Sequence, residues 1–140
     1  MQIPGHLTVA LIQHRCLTLL SGKSIALEPI LVSSLFPDLV DKTIGYLLHW
    51  MPHGRHYTHN LFSLIFLSSV VTVIWGKSAG RSWFVGHLGH LLADTKGIVP
   101  WFFPVKHYGI RPGRLRFRKR KMAREGLILA AVFTLYQLTR

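Results

Sequence analysis

Acidic residues are scarce in this chain. Five Asp and Glu stand against 17 Lys and Arg in 140 residues, a formal charge of +12. Charged residues make up 16% of the chain and hydrophobic ones 49%, where a water-soluble domain is about one-quarter charged with both signs mixed. The positive excess implies an anionic partner: nucleic acid, an anionic lipid surface or an acidic substrate. The apolar content favours lipid. With so few acids, each carboxylate is informative.

Other absences narrow the field further. The single cysteine, Cys16, excludes an internal disulfide, and its Leu, Ile and His neighbours predict a buried, small apolar role. A basic start is missing from the first 22 residues, and His14 and Arg15 interrupt their apolar run, so they are expected to belong to the mature fold rather than to a cleaved signal. No apolar run reaches the ~20 residues of an ideal spanning helix. There is no glycine-rich phosphate loop, no GxSxG and no HExxH, and Cys16 has no histidine setting to activate it. If the protein is an enzyme, metal-activated water is the economical mechanism.

What is present is a set of five apolar segments, 7–20, 25–36, 61–76, 83–95 and 126–138. Short Gly/Ser turns at 21–24 and 76–82 pair the first four into two helical hairpins. The expected fold is all-α: one domain, 1–140, built as a small integral membrane bundle of four to five short helices. A basic block, 111–124, precedes the last segment. The positive-inside rule puts it in the cytoplasm, where it would attract anionic headgroups. Counting back through the hairpins brings His6, residues 37–60 and the end of segment 83–95 to the same face. A nucleic-acid role for the block, with Phe117 stacking on a base, is the weaker reading.

Four groups of residues could do chemistry at that face. Asp38 and Asp41 follow Pro37 three residues apart, and share a face if a helix starts there. Carboxylates so close to lipid need a partner or a ligand. Arg55, His56, Thr58, His59 and Asn60 open the most apolar segment; Arg55 can bind a carboxylate or phosphate, and His59 is placed in the first helical turn. His90 and Asp94 stand at i and i+4, with His87 one turn back. His6 stands alone before the first segment. Imidazoles with carboxylates suit a divalent ion such as Zn or Mn rather than Cu(I). A hydrogen-bonded polar contact between helices explains the same residues without metal.

The order His6, Pro37-Asp38 with Asp41, Arg55 with Thr58-His59, Gly86 with His90 and Asp94, then Trp101 to Pro104, resembles the YdjM-type family of small inner-membrane proteins described as membrane-bound, metal-dependent hydrolases. Gly54 stands where that pattern often has His, and His56 where it often has Gly. The resemblance implies a multi-pass protein of the cytoplasmic membrane. In it, His6, Asp38, Asp41, His59, His90 and Asp94 converge on one or two divalent ions, Zn first and Mn second. Asp41 would serve as base and Arg55 would hold a phosphate or developing charge, in hydrolysis of an ester or phosphoester that could be lipid-linked. The rivals are a non-catalytic membrane protein with a structural His/Asp cluster and a membrane-tethered nucleic-acid binder.

Overall fold

The computed structural model describes residues 2–22, 25–51, 53–94, 98–110, 112 and 118–139. These form four α-helices and no strand: α1 (Ile3–Ser21), α2 (Leu27–Lys42), α3 (Leu61–Ala93) and α4 (Lys119–Leu138). Pro4 suits the first turn of α1, where its missing N–H has no intrahelical acceptor anyway. The helix ends on Gly22, which adopts the left-handed conformation (φ 62°) and donates its N–H to Thr18 O at 3.1 Å.

Pro37 does not start a helix, as the sequence suggests; it lies inside α2. A proline there removes one backbone donor and crowds the carbonyl four residues earlier. In the turn before it, the Ser33 and Ser34 hydroxyls donate to Ile30 O and Leu31 O, and Ser34 O accepts from a ring on another helix, described below. After Lys42 the chain continues as a π-helical turn, Thr43–Leu47. Its Gly45 lies so close to the loop that a Cβ would fall 2.4 Å from His53 O.

α3 is the one helix among the described residues long and apolar enough to cross a membrane by length and composition. It is not straight. Gly76 has φ 87° and ψ 170°, which only glycine adopts readily, and the chain doubles back there. A straight 33-residue helix would put its ends about 50 Å apart. Instead His59 and His90, at opposite ends, touch, and a Cβ on Gly80 would sit 1.7 Å from Thr72 Oγ1. The expected hairpin is therefore present, but its turn is Gly76 alone, and 77–82 are helical. Each arm, 61–75 and 77–93, is about 22–26 Å long. Asn60 caps the first arm by accepting from Ser63 N at 2.8 Å.

α1 packs against α2, α3 and α4, and the closest partners are α2 and α3. Gln2 N donates to Glu125, and Tyr136 Oη pairs with His14 Nδ1 at 3.0 Å, so α4 runs parallel to α1. α4 starts at Lys119, so the second half of the expected basic loop is helix; 111 and 113–117 lie outside the described residues. Its basic first turns lie at the same end of the bundle as His6.

The distribution of polarity is the reverse of a water-soluble domain. Buried polar residues outnumber buried apolar ones, while Leu20, Phe66, Val73, Trp75, Leu127 and Leu138 are among many large apolar side chains left exposed. So large an apolar exterior marks a surface made for something other than water. Cys16, expected inside, is exposed on this exterior.

Close α2–α3 packing depends on Gly86, whose Cβ would meet Ser33 Oγ at 2.2 Å and Ile30 O at 2.3 Å. Gly86→Leu is expected to destabilise the bundle by about 1–3 kcal/mol. Gly126→Ala, where a Cβ meets nothing within 4 Å, should be neutral or mildly stabilising. Thermal unfolding in detergent separates the two; equal midpoints would show that α2 and α3 are not in such close contact.

Candidate metal centre

Four parts of the chain converge at one end of the bundle. His6 comes from the first turns of α1, Asp38 and Asp41 from the last turns of α2, His59 from the residue before the Asn60 cap, and His90 and Asp94 from the end of α3. All six are buried. One donor atom each from Asp38, His59, His90 and Asp94 lies within 4.8 Å of the others, so this group could hold a metal ion.

The hydrogen bonds behind the rings decide which nitrogens face inward. His90 Nδ1 lies 2.6 Å from Ser34 O, and His59 Nδ1 lies 2.8 Å from Asp41 Oδ2. A carbonyl and a carboxylate only accept, so both Nδ1 atoms must donate. In the neutral rings, the form that binds metal, that leaves lone pairs on both Nε2 atoms, and these face each other at 3.1 Å. Such a contact is repulsive unless a proton or a metal ion lies between. Two imidazoles bound to tetrahedral zinc would hold their nitrogens about 3.3 Å apart, given Zn–N of ~2.0–2.1 Å. Asp38 Oδ1 lies 3.5 Å from His59 Nε2 and 3.9 Å from His90 Nε2, and it is buried with no hydrogen-bond donor. Two lone pairs and an unpartnered carboxylate oxygen facing one point fit a divalent cation.

Asp41 sits elsewhere than the sequence suggests. Its oxygens accept from His56 N at 2.6 Å, from Thr58 N at 3.1 and 3.2 Å, and from the His59 ring. It lies behind His59, on the side away from His90, as the carboxylate of a carboxylate–histidine–metal arrangement does. His6 is also outside the four-atom group. Its ring stacks on His90 (centroids 4.1 Å, 18°) and Nε2 lies 3.7 Å from Asp38 Oδ2; neither ring nitrogen has a hydrogen-bond partner. His87 approaches Thr58 O at 2.9 Å through Nε2, while Thr58 Oγ1 donates to Pro37 O at 3.1 Å. His56 and Tyr57 pack on Phe103 of the aromatic-proline segment, and Trp101 O accepts from Leu61 N.

Two cations border the group. Lys42 pairs with Asp38, and Arg55 pairs with Asp94. The sequence marks Arg55 as a residue able to bind a carboxylate or a phosphate, and it binds the Asp94 carboxylate; Lys42 pairs with Asp38, one turn back, rather than with the adjacent Asp41. The i, i+4 spacing of Asp38 and Lys42 was the available signal. Nothing in the sequence signals the role of the Ser34 carbonyl. Burial lowers the basicity of His59, but the Asp41 carboxylate accepting from its ring and the negative charges of Asp38 and Asp41 outweigh it and hold its pKa above the ordinary imidazole value.

The chain belongs to the family of the YdjM inner membrane protein, whose model matches residues 1–139. No curated protein and no solved structure matches it.

Asp41→Asn removes the charge that orients His59 and leaves one backbone donor poorly matched. It is expected to destabilise the protein by about 2–4 kcal/mol and to move the His59 titration down toward the ordinary imidazole range. Unfolding in detergent and histidine NMR check both; an unchanged His59 titration would sever it from Asp41.

Proposed function

We propose that this YdjM-family chain is a membrane-bound, metal-dependent hydrolase whose centre holds one divalent ion, zinc before manganese, and acts on an ester or phosphoester. The observation that carries the reading is the pair of Nε2 lone pairs facing each other at 3.1 Å beside the unpartnered Asp38 oxygen. In this reading Asp38, His59, His90 and Asp94 are the ligands. The ion would supply Lewis acidity and lower the pKa of water at the site.

The chain's own residues then divide the work. Asp41 keeps His59 in the tautomer that presents Nε2, and Ser34 O does the same for His90. With its oxygens so engaged, Asp41 is poorly placed for the role of base. His6 is better suited: both its ring nitrogens are buried without partners beside Asp38, so Nε2 is free to accept a proton. Arg55, at the rim, would hold a phosphate oxygen.

The apolar exterior and the two arms of α3 support a multi-pass arrangement. Because the basic start of α4 lies at the His6 end, the positive-inside rule would put the site at the cytoplasmic face, at headgroup level. A lipid-linked substrate suits that depth.

Detergent-purified protein is expected to carry near-stoichiometric zinc or manganese by mass spectrometry, and His90→Ala/Asp94→Ala to lose it while still folded. His6→Gln should keep the metal but lose about 100-fold in turnover of a phosphoester or ester substrate. If no metal binds after reconstitution, the cluster is a polar packing device between helices. Metal occupancy should also depend on pH in a defined direction. The metal-free site holds a proton on His59 up to pH values above the ordinary imidazole range, and zinc must displace it. Occupancy at limiting zinc should therefore fall as pH drops through that raised value, with proton release on binding; uptake that strengthens on acidification contradicts this.

A further inference from the structure

The two rim cations are arranged unlike ordinary surface pairs. In a helix-surface ion pair both ends lie in water and the interaction is weak. Here the acids are buried and the bases reach solvent: the Asp38 and Lys42 side chains are 8% and 33% exposed, and those of Asp94 and Arg55 are 3% and 29% exposed. Each base covers the outer side of a carboxylate whose group faces the two Nε2 lone pairs. Asp38 shows the division directly: Oδ2 meets Lys42, while Oδ1 points inward with no donor.

The local charge depends on what occupies the centre. A divalent ion held by Asp38 and Asp94 takes over the negative charge that Lys42 and Arg55 now face. The cations have no other acid to turn to. Asp41 is committed to His59, Thr58 and His56; Glu28 is in the first turn of α2, at the far end of that helix from Lys42; Glu125 is engaged by Lys121 and Gln2 N.

We infer that Lys42 and Arg55 form a clamp for a phosphate-class oxyanion, held closed on Asp38 and Asp94 while the centre is empty and released when a divalent ion takes over those carboxylates. This rests on the metal reading above and adds its order of binding and its substrate class. Metal and anion then favour each other's binding, because each relieves a charge that the other creates. Lys42 supplies the second cation beside the metal, and the anion sits between Lys42 and Arg55. A free phosphate and a lipid headgroup present the same oxyanion to this clamp, and the experiment below separates the two sources.

Lys42 competes with the ion for Asp38, so its removal has two opposite effects. In full-length protein in detergent, Lys42→Met is expected to bind Zn²⁺ roughly tenfold more tightly than wild type, the equivalent of one competing ion pair. The same variant, loaded with zinc and desalted, should bind inorganic phosphate at least tenfold more weakly. Lys42→Arg should keep phosphate binding, which separates lost charge from lost folding. Arg55→Gln is expected to repeat the pattern through Asp94. Wild type should bind phosphate tightly only when loaded. Nanodiscs with and without phosphatidic acid identify the source: Lys42-dependent binding to phosphatidic acid assigns the headgroup, and Lys42-dependent binding to inorganic phosphate alone assigns a soluble anion. No zinc uptake by wild type overturns the metal reading and the clamp together. Zinc uptake with phosphate binding that is indifferent to zinc, or as strong in Lys42→Met, overturns the clamp alone.

Discussion

Two imidazole nitrogens that both carry lone pairs cannot rest 3.1 Å apart without a cation between them. Much of the bundle end is organised around that contact between His59 and His90. Behind one ring stands a carboxylate and behind the other a backbone carbonyl, and both are acceptors only. In the neutral rings they leave the inward nitrogens as the basic ones. The rest of the site follows: an inward Asp38 oxygen with no donor, an Asp94 held at the rim, and basic side chains closing the outside.

The fold serves this contact by bringing distant residues together cheaply. Gly76 lets one apolar stretch double back, so His59 and His90 meet across a 33-residue helix. Gly86 lets α3 lie directly on α2, which brings His90 within reach of Ser34 O. α1 contributes His6 stacked on His90, and the aromatic-proline segment supports the loop that carries His56 and Tyr57. The polar residues lie inside and the large apolar ones outside, so the bundle's surroundings, not its core, take the apolar surface.

Much of this was legible because the relevant signals are short-range or compositional. An all-α bundle follows from apolar segments broken by Gly and Ser. The His90/Asp94 spacing places both on one helix face whatever that helix packs against. The carboxylates stood out because acids are so few. Less legible were details that depend on a partner far away in sequence. Pro37 suggested a helix start, because a proline alone does not show whether the helix before it runs on through it. Cys16 was assigned to a core by its apolar neighbours, but in this chain apolar neighbours face outward. The turn at 76–82 was drawn too long, since six of those residues form helix once Gly76 reverses the chain.

By itself, the sequence determined the helical architecture, the pairing of two segments into a hairpin, the membership of His6, Asp38, Asp41, His59, His90 and Asp94 in one region, and the family to which the chain belongs. Those depend on periodicity, charge and order along the chain, which need no coordinates. Only the tertiary structure decided the division of roles within that region. Asp38 and Asp41 are chemically identical and one helical turn apart, yet one turns an unpartnered oxygen toward two imidazoles and the other stands behind His59. Which acid faces the centre is set by the rotation of α2 against the loop and α3, and no local pattern in a sequence encodes that rotation.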